Sequence, residues 1–142
     1  DGYGVDEESV IEKARQAERL EADRIGHGVR VVEDPMVVAL ARERGTVFEV
    51  CVTSNVQSGV VPRLNDHPLR AMMTAGLRAT INTDDPTVEA VTLTDEYETC
   101  IHHLGLTPVQ IREALRTAVQ AAFLPAAEKA RLTQQFEAAL AA

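Results

Sequence analysis

An α/β architecture with a parallel sheet is the fold class predicted here, and three observations predict it. Strand-like runs of β-branched residues alternate with helix-like segments, each strand candidate empties into a polar or glycine-bearing loop, and no low-complexity linker divides the chain. The predicted order is α-β-α-β-α-β-α-α-α. Three parallel strands make a small sheet with both edges open. Two architectures remain: a compact three-stranded α/β domain, or the closing portion of a barrel.

Each element has a local reason. Residues 6 to 21 place Val10, Ile11, Ala14, Ala17 and Leu20 on one helix face, with Asp6 as N-cap and Glu7 and Glu8 where the helix dipole favours acids. Asp23 to Gly28 is a short strand candidate. Asp34-Pro35 opens a helix bearing Val38, Leu40 and Ala41, and Gly45 closes it. Residues 46 to 52 read as a second strand, and a polar loop is expected from Thr53 to Asn65. Asp66-His67-Pro68 starts a helix carrying Leu69, Met72 and Met73, which Gly76 ends. Leu77 to Ile81 forms the third strand and finishes in Asn82-Thr83-Asp84-Asp85-Pro86. Thr92 or Thr94 caps a helix with Tyr97, Ile101 and Leu104, stopped by Gly105. Thr107 and Gln110 have capping-box spacing at the start of the next. A last helix after Pro125 carries Leu132, Phe136 and Leu140.

Composition narrows the function classes. The chain has 142 residues, 45% hydrophobic and 25% charged, which suits one globular unit. Its net charge of −8 repels polyanions, so nucleic acid is not an expected partner. No stretch reaches the ~20 apolar residues of a membrane span, so no membrane partner is expected. Cys51 and Cys100 lack CxxC spacing, which argues against a disulfide scaffold or zinc knuckle and fits a reducing cytoplasm. The chain opens at Asp1 rather than at a methionine, and its pattern is expected to belong to a larger object.

In parallel α/β folds the working residues gather beyond the C-terminal ends of the strands. That rule selects Gly26-His27-Gly28, Thr53-Ser54-Asn55 and Asn82-Thr83-Asp84-Asp85-Pro86. His27, between two glycines, suits a general base or metal ligand, or a histidine in a permissive turn. Adjacent Asp84 and Asp85 point in different directions. One could face a metal or nucleophile and the other a substrate, or one could cap the turn before Pro86. Thr53, Ser54 and Asn55 could donate hydrogen bonds or start a turn. Glu49 inside a strand calls for a partner such as Arg24 or Arg78 and reads as structural. His67 reads as a helix-start residue, His102 and His103 as dipole-favoured residues at a helix end, and Met72 and Met73 as packing. The acidic residues spread over the helices are expected to be solvated.

These blocks together resemble the adenosine deaminase family of metal-dependent amidohydrolases. The resemblance rests on Arg24-Ile25-Gly26-His27-Gly28, Glu49-Val50-Cys51-Val52-Thr53-Ser54-Asn55 and Ile81-Asn82-Thr83-Asp84-Asp85-Pro86. His67-Pro68-Leu69, Leu93 to Tyr97 and Ala121-Ala122-Phe123-Leu124-Pro125 add to it, and it runs from about Val10 onward. It implies a TIM-type (β/α)8 barrel in which these strands are the sixth, seventh and eighth, followed by terminal helices. On that implication residues 1–142 are the C-terminal portion of a single barrel domain.

The implied reaction is zinc-dependent hydrolytic removal of the purine 6-amino group of adenosine or 2′-deoxyadenosine as ammonia, a step of purine nucleoside salvage. His27 would hold and help deprotonate the attacking water, Asp84 would ligate Zn2+ and bond that water, and Asp85 would accept a hydrogen bond from the purine ring. Zinc lowers the pKa of a water from 15.7 towards ~7. The family's His-x-His pair, fifth-strand histidine and ring-protonating glutamate are not in this sequence, and a catalytic zinc normally takes three or more protein ligands. The chain alone is therefore expected to be inactive and to need the N-terminal part of the barrel as a partner. Open strand edges make the isolated chain marginal on the same reasoning. Val52 replaces a usual proline, and Thr117 and Ala122 replace a common asparagine and serine, all outside the implied metal shell. Alternatives are a deaminase for adenine or another aminopurine, and a non-catalytic barrel remnant. An independent phosphate-binding module is disfavoured, because Gly26-His27-Gly28 runs into Arg-Val-Val rather than directly into a helix.

Overall fold

The computed structural model describes residues 22–141; the helix expected over 6–21 lies outside the described residues. Strands β1 (Arg24–Gly26), β2 (Val47–Val50) and β3 (Arg78–Ile81) form one parallel sheet in the order β1-β2-β3. Ile25, Phe48 and Ala79 stand side by side across it, as do Arg24, Val47 and Arg78. Strand alternation separates two faces. Ile25, Phe48, Val50, Ala79 and Ile81 belong to the apolar core, while Arg24 and Glu49 on the other face form an ion pair at 3.4 Å. Arg24 is thus the partner that Glu49 required.

Local signals set most helix starts. In α1 (Pro35–Arg44) the Asp34 carboxylate accepts from the amides of Met36 and Val37, proline takes the first turn, and Gly45 closes the helix at φ 69°. Reciprocal capping boxes, Thr92 with Asp95 and Thr107 with Gln110, open α5 (Leu93–His102) and α6 (Pro108–Ala121). α7 (Ala126–Ala141) follows Pro125, with Leu132, Phe136 and Leu140 half-buried. It meets α6 through the Arg116–Glu137 pair, Nη2 to Oε2 at 2.8 Å. The core gathers Val29, Val37, Ala41, Phe48, Leu69, Met72, Leu77 and Cys100 between sheet and helices. Met73 packs against its edge.

Four expectations need correction. The second strand ends at Val50, and Val52–Gln57 is helix α2 rather than loop. Cys51 supplies no side-chain cap there. The Glu96 carboxylate does so from 44 residues away, accepting from the amides of Val52 (3.0 Å) and Thr53 (3.2 Å). Glu96 is itself fully buried, so not every helical acid is solvated. α3 (Leu69–Thr74) begins after a 3-10 turn at Leu64–Asp66, later than the Asp66 start. On α5 the buried positions are Glu96, Cys100 and, just beyond its end, Leu104, whereas Ile101 is exposed. Two further short elements were not foreseen: a 3-10 turn at Val29–Glu33, and α4 (Pro86–Glu89).

Gly28 fixes the exit from β1. It sits at φ 61°, and a Cβ there would stand 2.8 Å from Cδ1 of Phe48, which has no exposed surface to retreat into. Left-handed strain and overpacking each cost about 1–3 kcal/mol. Gly28→Ala in the full-length protein is therefore expected to lose about 2–4 kcal/mol in urea unfolding; a loss under ~1 kcal/mol would show that Phe48 can yield.

Candidate functional site

The three strand-end loops converge. His27 follows β1, and its amide extends the parallel ladder by donating to the carbonyl of Glu49 at 2.9 Å. Asp84 follows β3, where the amide of Asn82 donates to the carbonyl of Val50, also at 2.9 Å. Ser54 and Asn55 ride on α2, directly after β2. His27 Nε2 lies 3.7 Å from Asp84 Oδ2, and both side chains are a little over 40% exposed. The Ser54 hydroxyl donates to the same Asp84 oxygen at 2.7 Å, which leaves the carboxylate oriented and still open to solvent.

Backbone strain coincides with this pair. His27 at φ 59° and Asp84 at φ 62° are two of the three non-glycine residues with left-handed backbone among the described residues. Each such residue costs roughly 1–2 kcal/mol, a cost that clusters at functional sites. Flanking glycines ease it at His27, and aspartate tolerates the conformation at Asp84.

Asp85 behaves differently from its neighbour. Its side chain caps α4, accepting from the amide of Val88 at 3.1 Å, so the turn-capping alternative holds for this residue. It remains exposed beside Asp84.

Two residues matter more here than sequence reasoning allowed. Asn55 is 2% exposed and joins two imidazoles: Nδ2 lies 3.1 Å from His27 Nδ1, and Oδ1 lies 3.2 Å from His67 Nε2. His67 is buried and accepts the Leu69 amide at Nδ1 (3.2 Å), the helix-start role expected of it. In the sequence Asn55 belonged to a strand-end cluster and His67 to a separate His67-Pro68-Leu69 block, and nothing linked the two. Glu96 was missed outright, although its spacing with Cys100 and Leu104 (i, i+4, i+8) places it on an apolar face.

Burial explains the titration behaviour. Desolvation pulls His67 down to about 4, so it is neutral at pH 7. The unfolded chain takes up that proton near 6.5 and the folded one only near 4. The unfolded state thus binds more protons in that window, and stability falls with decreasing pH between those values. The loss reaches about 3 kcal/mol by pH 4. Urea unfolding of the full-length protein across that window is expected to show this loss, and His67→Gln to remove it; equal slopes would sink the prediction. Desolvation, then the charge of Asp84, pushes the Cys51 thiol up to about 12, so this buried cysteine stays protonated and unreactive.

The donor chemistry around His27 and Asp84 suits one edge of a zinc shell: an open carboxylate held by a hydroxyl, with an imidazole facing it. A catalytic zinc takes three protein ligands. Among the described residues no group of three or more His, Cys, Asp or Glu could hold a metal.

Comparison with known proteins gives this geometry a context. A family model described as adenosine deaminase matches residues 7–139. Adenosine deaminase of Serratia proteamaculans is 40% identical over 131 residues, covering 92% of this chain and 39% of that protein. Adenosine deaminase of Escherichia coli is 39% identical over 137 residues, covering 96% and 40% respectively. Among solved structures, an adenine deaminase from Arthrobacter aurescens superposes with a TM-score of 0.85 at 28% identity, covering 94% of this chain and 41% of that one. An amidohydrolase from Burkholderia ambifaria with bound Zn gives a TM-score of 0.82 at 26% identity, covering 96% and 38%. The chain thus spans about two fifths of the length of the relatives it matches. Its three β/α units and the helices after them are the last part of a TIM-type (β/α)8 barrel.

Proposed function

The chain belongs to the adenosine deaminase family, and from that premise we propose that the whole protein deaminates adenosine or 2′-deoxyadenosine hydrolytically, releasing ammonia. Residues 1–142 are then the C-terminal portion of one barrel domain. The observation that carries this reading is the His27–Asp84 pair, 3.7 Å apart at the ends of the outer strands, both members in strained backbone.

In this reading Asp84 is a metal-holding carboxylate, and Ser54 limits its rotation by occupying one oxygen. Zinc, when bound, supplies Lewis acidity that makes water a usable nucleophile near neutral pH. His27 and Asp84 hold the attacking water between them, and the carboxylate is the acceptor for its proton. Asp85, exposed and one residue on, accepts a hydrogen bond from the purine ring with an oxygen turned from its cap. The remaining metal ligands and the ring-protonating acid come from the rest of the barrel.

A second reading has its own support. The adenine deaminase superposition at 28% identity favours a free aminopurine as substrate. Full-length protein given adenosine or adenine separates the two by ammonia release. Release from adenosine that stops with a chelator and returns with zinc is the expected result. Preference for adenine selects the second reading. Release from neither refutes the proposal and leaves a non-catalytic barrel, and release indifferent to chelation refutes a zinc-dependent reaction.

A further inference from the structure

We propose that Asn55 and His67 are positioning residues for His27: a one-way chain of hydrogen bonds from the Leu69 amide locks His27 with its proton on Nε2, facing Asp84. This rests on the reading of His27 and Asp84 as the water-holding pair, and it adds two residues and a direction to it.

The direction follows from donor and acceptor chemistry alone. A backbone N–H can only donate, so the Leu69 amide, 3.2 Å from His67 Nδ1, requires that nitrogen to be unprotonated. A neutral imidazole then carries its proton on Nε2. Burial keeps His67 neutral at pH 7. That N–H needs an acceptor, and the atom 3.2 Å away is therefore the oxygen of Asn55, not its nitrogen. The Asn55 amide is thereby oriented, and its NH2 group must donate to His27 Nδ1 at 3.1 Å. His27 Nδ1 is an acceptor, so the imidazole proton sits on Nε2, the atom turned to Asp84 Oδ2. Four groups in series allow only this pattern without placing two donors or two acceptors face to face, a costly arrangement for a side chain as buried as Asn55.

The consequence is chemical. With Nε2 protonated, His27 holds the water by donating to its oxygen, and proton removal falls to the Asp84 carboxylate. The two groups of the pair therefore have separate duties. Asn55, which touches no reacting atom, decides which duty His27 has.

The test reads the tautomer directly. Imidazole 15N–1H correlation spectra of the full-length protein are expected to show the proton on Nε2, with Nδ1 bare, for both His27 and His67. His27 protonated at Nδ1 in the wild type overturns the proposal, with no variant needed. Asn55→Asp presents acceptors to both rings, so His27 should gain a proton at Nδ1 while kcat falls about a hundredfold and KM changes little. His67→Gln keeps a donor towards the Asn55 oxygen and should preserve the wild-type tautomer of His27. A reversed tautomer in His67→Gln, or an unchanged one in Asn55→Asp, also overturns it. Failure of the deaminase reading shows separately, as absent ammonia release with the tautomers intact.

Discussion

Asp84→Ala in the full-length protein is expected to abolish ammonia release from adenosine and zinc retention together. The side chain is over 40% exposed, bonded to Ser54 and facing His27, so it contributes little to packing. Its expected contribution is to the metal and the water, where loss of about 4 kcal/mol of transition-state stabilisation corresponds to ~10³-fold in kcat. Asp84→Asn separates chemistry from backbone effects, because asparagine also tolerates φ 62° and keeps the side chain's size. That variant should unfold within ~1 kcal/mol of wild type while losing most activity. Zinc content by elemental analysis and turnover are the two measurements. Full turnover with Asp84→Ala would remove Asp84 from the site and the proposed function with it.

Glu96→Ala carries the largest expected effect on stability. Its carboxylate is fully buried and holds the first two amides of α2, Val52 and Thr53. Truncation leaves both amides without their acceptor and opens a void beside Cys100. Hydrogen bonds to a charged group are worth about 1.5–3 kcal/mol each, so a loss of about 3–5 kcal/mol in urea unfolding is expected. Glu96→Gln retains one acceptor and should recover part of it. Because α2 carries Ser54 and Asn55, kcat should fall in step with stability. A Glu96→Ala protein as stable as wild type would show that α2 is held by its apolar contacts instead.

The contrast between these residues explains what could be read in advance. Asp34 and Thr107 cap helices with partners two or three positions away, so their sequence neighbours already identify them, while the structure chooses Thr92 over Thr94 by its bond to the Asp95 amide. His27 and Asp84 were legible for a different reason. Parallel β/α topology carries strand-end loops to one rim wherever the strands lie in sequence. Asp85 was ambiguous because an aspartate before proline does two things equally well, and here its side chain caps α4.

The polar contacts that span the molecule were not legible. Helix α2 looked like a loop because its cap comes from Glu96, 44 residues on, and no local pattern encodes that distance. Asn55 and His67 looked ordinary because each makes sense only with the other, 12 residues apart, and with His27, 28 residues before Asn55. By itself the sequence determined the alternation of strands and helices, the local caps and the rim on which the strand-end loops of His27 and Asp84 meet, since these depend on periodicity, near neighbours and parallel topology. Only the tertiary structure decided which buried acid holds α2 and which groups face the two nitrogens of His27. Hydrogen-bond direction is set by the partner across the fold, and chain order carries no trace of it.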